Sequence, residues 1–294
     1  MLARTLAVWS WIGLLAGVSC VLDGDPVDWS RHGYLVKIVA KLPDKSVKLC
    51  TGALISGSLV LTSADCVVDS ETSKDLEEFA VITLIKKHKR RLYGLLVEKT
   101  EKWAVLRIDT VPTDKLCPPA PQPPRVLRLN QKPSLKSSST FYVPISQILK
   151  SKCYLLGFKT EDDASNFYRQ KQVYRLDLYQ LMEPRSGDIF YRSLVKENYT
   201  ACFEDTGAPL ICNTPESGTL LVGYFQSLGR PISPDAAELT TPISTLEEAC
   251  SGAYEMNFDL VSDDERLVKL IEKEDLGPFV DIYHKCGFVN SESS

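Results

Sequence analysis

Histidine and methionine are both scarce in this chain, three of each in 294 residues. His32, His88 and His284 lie far apart in sequence. No grouping of His, Cys, Asp or Glu has metal-ligand spacing, so neither a metal centre nor a cofactor is expected. A strong charge of either sign is also absent. The net charge is −4, with 34 Lys and Arg against 38 Asp and Glu. That balance argues against a global affinity for nucleic acid or other polyanions. Long apolar runs are missing after the first twenty residues, so no membrane span is expected.

What is present points to the secretory route. Arg4 precedes an apolar run from Leu6 to Val18, followed by small residues, the pattern of a signal peptide over residues 1–20. Cleavage after Ser19 and cleavage after Cys20 both fit. Nine cysteines suit an oxidising, extracellular location. The length suffices for one large all-β domain or two smaller ones.

The stretch Cys202-Phe-Glu-Asp-Thr-Gly-Ala-Pro-Leu-Ile-Cys212 organises the rest. It resembles C-x-G-D-S-G-G-P-L-x-C, the nucleophile loop of the trypsin-like serine proteases. Thr206 stands where that family has its nucleophilic Ser, and Glu204 where it has the oxyanion-hole Gly. Leu49 to Cys66 reads as two strands about a turn at Ser56-Gly57. It resembles the family's C-G-G-x-L-I-x-x-x-W-V-L-T-A-A-H-C, with Asp65 in place of the catalytic His. Lys102-Trp-Ala-Val-Leu-Arg-Ile108 resembles D-I-A-L-L-x-L, with Lys102 in place of the catalytic Asp.

Weaker likenesses complete the set. Val21-Leu-Asp-Gly24 is similar to the family's I-V-G-G, and Cys153-Tyr-Leu-Leu-Gly-Phe158 to the start of its second barrel. Leu220 to Gly229 resembles the strand ending in S-W-G. Thr200 falls where the family places the base of its specificity pocket. The fold implied is all-β: two six-stranded antiparallel β-barrels, closed by a C-terminal helix. The resemblance runs from residue 21 to 252, leaving 253–294 as a C-terminal extension with a helical tail. Within it, Ser262-Asp-Asp-Glu265 reads as a capping box before a helix at 263–274.

The resemblance implies disulfides Cys50–Cys66 and Cys153–Cys212. The pairing of Cys20, Cys117, Cys202, Cys250 and Cys286 stays open; Cys250–Cys286 would staple the tail. Asn198-Tyr-Thr200 is a glycosylation sequon. Lys86, Lys87, Lys89, Arg90 and Arg91 form a basic run, expected at a hairpin tip, as a solvated turn or a polyanion contact.

Acyl transfer on this scaffold needs an imidazole base, an orienting carboxylate and an oxyanion hole. Here the base position holds a carboxyl with an ordinary pKa of about 4, poorly matched to neutral pH. The methyl of Thr206 also restricts its hydroxyl. The expectation is therefore a non-catalytic protease homologue that binds an extracellular protein, such as an active protease or its substrate. It would serve as a cofactor or decoy in a protease, immune or reproductive-fluid setting. A weak hydrolase using Thr206 and a glycosaminoglycan-binding protein using Lys86 to Arg91 are the alternatives. Asp65 and Lys102, opposite in charge, are expected to form an ion pair across the cleft.

Overall fold

A computed structural model describes residues 24–55, 58–85, 88–108, 128–130, 142–158, 172–196, 199–215, 218–229, 250, 253–261 and 264–273. Strands dominate it. The chain starts on the second half with β1 (Asp25–Asp28), makes a short 3-10 turn at Trp29–Arg31, and passes into the first half. There β2 (Leu35–Lys41), β3 (Val47–Leu54), β4 (Leu59–Ser63), β5 (Phe79–Ile85), β6 (His88–Lys99) and β7 (Trp103–Ile108) close an antiparallel barrel. Its order is β2-β3-β4-β7-β6-β5. These strands are rich in Val, Ile and Leu, which pack well on a pleated surface. Ile38, Leu54, Leu59, Trp103 and Leu106 fill the interior.

The second half is an eight-stranded sheet in the order β1-β10-β9-β12-β13-β14-β11, with a short β8 (Arg128–Leu129) parallel to β13. Its members are β9 (Lys152–Phe158), β10 (Gln172–Asp177), β11 (Tyr191–Leu194), β12 (Pro209–Thr214), β13 (Gly218–Gly229) and β14 (Glu255–Leu260). Cys212 and Cys153 are register partners on β12 and β9, and they are disulfide-bonded. Cys50 and Cys66 are bonded as well, with Cα atoms 5.9 Å apart. No helix among the described residues is long and apolar enough to cross a membrane.

Two aromatic contacts tie the halves together. Trp29 donates its Nε1–H to the Leu35 carbonyl at 2.9 Å and meets the Phe158 ring edge-on at 4.8 Å. Trp103 donates Nε1–H to Asp264 at 2.5 Å. The same Asp264 accepts from the amides of Arg266 and Leu267 and so caps the helix Glu265–Lys273. Leu267 and Leu270 of that helix join the first barrel's core. The cap is therefore Asp264, two residues beyond the Ser262 start of the expected box.

Two expectations need correction, and one open pairing is filled. First, the boundary at residue 252 falls inside the fold. β14 pairs with β13 on one side and β11 on the other, and the following helix packs on the first barrel. Residues 253–273 thus complete the two halves. Second, most of the basic run is strand. Lys89, Arg90 and Arg91 pair with Leu84, Thr83 and Ile82 within the β5–β6 ladder. The period-2 pattern of Leu92, Gly94 and Leu96 carries the strand through the charges. Lys86 and Lys87 lie outside the described residues, as do Asn198, residues 1–20, Cys117 and Cys286.

The pairing left open for Cys202 and Cys250 is filled: the two are bonded to each other, with Cα atoms 5.5 Å apart. Gly229 and Glu255 are register partners, so the chain must return beside the end of β13. That return brings Cys250 onto Cys202, with Leu228 packed against both.

Two outcomes test this architecture. A chain ended at residue 252 is expected to lose its cooperative thermal transition, followed by circular dichroism; a native-like melt would show β14 to be dispensable. Asp264→Ala, which removes a helix cap and a buried hydrogen bond together, is expected to cost about 1–3 kcal/mol in denaturant unfolding.

Candidate functional site

The cleft between the halves gathers Asp65, Lys102, Glu204 and Thr206, each placed by local structure. Asp65 sits in the 3-10 turn Ala64–Val67 that ends β4. Ser63 caps that turn, its Oγ accepting from the Asp65 amide at 3.2 Å. Lys102 immediately precedes β7, and its carbonyl accepts from the Ala64 amide at 2.8 Å, which holds the two positions side by side. Glu204 and Thr206 belong to the 3-10 turn Phe203–Asp205 and its C-cap.

The expected Asp65–Lys102 ion pair is not formed. Each side chain instead takes a partner from the second half. Gln226 of β13 donates its Nε2–H to Asp65 Oδ2 at 2.7 Å and accepts from the Ser63 hydroxyl at 2.7 Å. One amide therefore satisfies both groups, and Asp65 itself stays exposed. The Lys102 ammonium lies 3.6 Å from Asp259 Oδ1 on β14. That carboxylate is only 2% exposed, and its other oxygen accepts from the Tyr224 hydroxyl at 3.3 Å. Burial pushes the Asp259 carboxyl above the ordinary range, against the opposing pull of the Lys102 charge. Burial and the neighbouring Asp259 push the Tyr224 phenol upward too.

Gln226, Ser63 and Asp259 were missed in the sequence. Gln226 could have been found, because it follows the Leu-Val-Gly-Tyr-Phe run where the resemblance has the Ser of S-W-G. Asp259 stands between Phe258 and Leu260, an acid on an alternating strand whose burial only the neighbouring strands decide.

Thr206 is turned back on its own loop. Its hydroxyl donates to the Phe203 carbonyl at 2.7 Å, and its amide points to the same oxygen at 3.2 Å. Its own carbonyl accepts from the Thr51 amide at 3.0 Å. The hydroxyl is not hydrogen-bonded to Asp65. An amide engaged inside the turn is also unavailable to an oxyanion in this conformation. Glu204 is half-buried, and its carbonyl accepts from the Thr51 hydroxyl at 3.3 Å. Thr200 is fully buried and offers a substrate no charge.

Asp205 is the most perturbed acid of the loop. It is 1% exposed; Oδ2 accepts from the Cys202 amide at 2.9 Å, while Oδ1 has no hydrogen-bond partner among the described residues. Burial, with the nearby Glu204 charge adding to it, raises its carboxyl to about 8, only partly opposed by the Cys202 and Phe158 backbone. Of the basic run, Lys89 reaches back over the Trp29 ring at 5.9 Å, and Arg90 and Arg91 are exposed. No metal-binding grouping of His, Cys, Asp and Glu occurs among the described residues.

The architecture is that of the trypsin-like serine proteases. It is similar to the solved structure of HL collagenase, a member of that fold, with a TM-score of 0.56 and 14% identity. The alignment covers 87% of this chain and 99% of the collagenase. No protein-family model and no curated protein matches the chain.

The state of Asp205 has a consequence for stability. Its folded pKa, about 8, lies above an unfolded value of about 3.9. Between the two the folded chain holds a proton that the unfolded chain has lost. The associated stability is complete below the unfolded value and is lost as pH rises through 8. The melting temperature is therefore expected to fall between about pH 4 and about pH 8, and Asp205→Asn to flatten that fall. An unchanged slope in the variant would assign the pH dependence to another group.

Proposed function

We propose that this chain is a secreted, non-catalytic protein on a trypsin-like scaffold that acts by binding an extracellular protein. The observation that carries the reading is Thr206, whose hydroxyl and amide both end on the Phe203 carbonyl. A nucleophile needs a base to take its proton, and its intermediate needs donors aimed at the oxyanion. Asp65, the nearest group in the base position, is held by Gln226 instead. Lys102 faces Asp259 and cannot orient a base.

Secretion is supported by the signal-like N-terminus and by three disulfides among the described residues, which persist in oxidising compartments. With no proton relay among the described residues of the cleft, what the scaffold offers a partner is a rigid surface and its loops. A protease of the same fold, or the protein such a protease cuts, is the partner class the scaffold suits, with this chain as cofactor or decoy.

The test is labelling of the secreted protein with an active-site-directed phosphonate, read by mass spectrometry. No adduct is expected, together with no turnover of fluorogenic peptide substrates. An adduct on Thr206, absent from Thr206→Ala, would overturn the reading.

A further inference from the structure

Between β10 and β11 the chain makes a loop that takes no part in the cleft contacts. Its root is closed. Met182 and Arg192 exchange backbone hydrogen bonds at 2.8 and 3.1 Å, and Arg192 donates its Nε–H to the Glu183 carbonyl at 3.3 Å. Beyond that root, residues 183–190 belong to no strand or helix. One backbone bond among the described residues spans them, from the Asp188 amide to the Arg185 carbonyl at 2.9 Å, and it closes a turn over Ser186 and Gly187. Arg185, Ser186, Gly187, Asp188 and Ile189 are all exposed, Ile189 by 59%. Gly187 has a φ of +92°, and a Cβ there would meet none of the described residues within 4 Å, so the tip stands clear of the body.

Among the described residues Arg185 is the one arginine outside every strand and helical turn. Its guanidinium is held loosely. Nη2 lies 2.9 Å from Glu255 Oε2, but the side chain is 50% exposed, and a pair so placed is worth little in water. Arg192 stands 3.5 Å from the same oxygen and is mostly buried. Arg185 can therefore swing away without leaving the buried Glu255 carboxylate unpaired. Its neighbours suit an extended path. Pro184 fixes its own φ and turns Glu183 away from helical backbone. Ser186 and Gly187, on the other side, are small.

We infer that the Arg185–Ser186 bond is a cleavage site for an active serine protease whose specificity pocket carries a carboxylate. This rests on the reading of the chain as a binding protein and names its partner class, with the loop as bait. Exposed loop tips of small polar residues are where native proteins are nicked, and a carboxylate at the base of a pocket selects a cationic side chain. In the cut the amide C–N bond breaks. The hydroxyl of a water goes to the Arg185 carbonyl carbon and its other hydrogen to the Ser186 nitrogen. The protease supplies the base and the oxyanion donors. The two pieces do not part. Cys153 lies before the cut and Cys212 after it, so their disulfide joins them, and β11 keeps its pairing with β14.

Limited proteolysis of the full-length secreted protein by trypsin tests this. At a limiting dose the first new N-terminus, read by mass spectrometry, is expected at Ser186. The cut protein should run as one species without reductant and as two after reduction. Arg185→Gln should remove that terminus and slow the loss of intact chain about tenfold. The side chain is half exposed, and an unchanged melting curve would confirm that the variant folds. The wild-type chain should also slow trypsin on a fluorogenic arginine peptide, as a competing substrate, and Arg185→Gln should not. A first cut elsewhere in the folded protein overturns the proposal, as does a Ser186 terminus that appears only above the melting transition. Phosphonate labelling reads Thr206, so an uncut loop leaves the functional reading standing, and an adduct leaves the Arg185 cut standing.

Discussion

The two halves of the molecule meet on a residue without a side chain. Gly207 has a φ of +83°, and a Cβ there would lie 2.2 Å from Thr62 Oγ1 and 2.3 Å from the Thr51 carbonyl. Neither neighbour can give way. Thr62 donates to that carbonyl at 2.8 Å, and both belong to the β3–β4 pair of the first barrel. The loop can therefore approach the barrel only as bare backbone. From that contact it hydrogen-bonds in both directions. The Thr51 amide donates to the Thr206 carbonyl, and the Gly207 amide donates to the Phe225 carbonyl on β13. The positions of Glu204, Asp205 and Thr206 follow from this seam, as does the distance at which β13 runs past β4.

Side chains in the cleft complete the seam. The first half contributes Ser63, Asp65, Lys102 and Trp103; the second contributes Gln226 and Asp259, with Asp264 leading into the final helix. Gln226 and Asp264 each hydrogen-bond across the junction, whereas Lys102 reaches Asp259 only at ion-pair distance, 3.6 Å. The arrangement answers the cost of leaving polar groups buried and unpaired at a protein–protein seam. A neutral amide holding an exposed carboxylate and a buried hydroxyl requires no buried charge. The Lys102–Asp259 pair is less comfortable. Lys102 is 44% exposed and the carboxylate 2%, so water screens one partner while the other bears the desolvation. The upward displacement of the Asp259 carboxyl has the same origin.

Local patterns carried much of this into the sequence, and long-range ones did not. The spacing of Cys50 and Cys66, the hairpin about Ser56-Gly57 and the alternation through β7 and β9 are all short-range signals, and each produced a correctly placed element. The helix after Asp264 was legible from its capping residues and the apolar spacing that follows them. Lys102 was paired with Asp65 because the two positions adjoin in the resemblance. Asp259 lies on a strand that the sequence reading had put outside the domain. That exclusion had a source in chain length: β14 begins only at Glu255, whose register partner is Gly229, so the closing strand sits farther along the chain than the resemblance leads one to expect. The basic run was misplaced for a different reason. Six consecutive polar residues look like a turn, whereas a β-hairpin only needs its inward face to stay apolar.

Threonine in place of serine looks like the mildest of the changes in the cleft, yet the loop is organised around it. A hydroxyl on a β-branched side chain has few rotamers, and one of them returns to the carbonyl three residues back. Thr206 takes that bond, and its amide follows to the same oxygen. The 3-10 turn so formed leaves Asp205 buried behind it, with one oxygen unpartnered and a carboxyl that stays protonated to about pH 8. A protonated Asp205 needs no counter-ion, and a turn that consumes its own amide needs no oxyanion. Each condition makes the other tolerable. The loop is thus self-consistent with no ligand in the cleft, and exchanging Thr206 for Ser would alter one member of a set that includes Asp205, Gly207 and the Phe203 carbonyl.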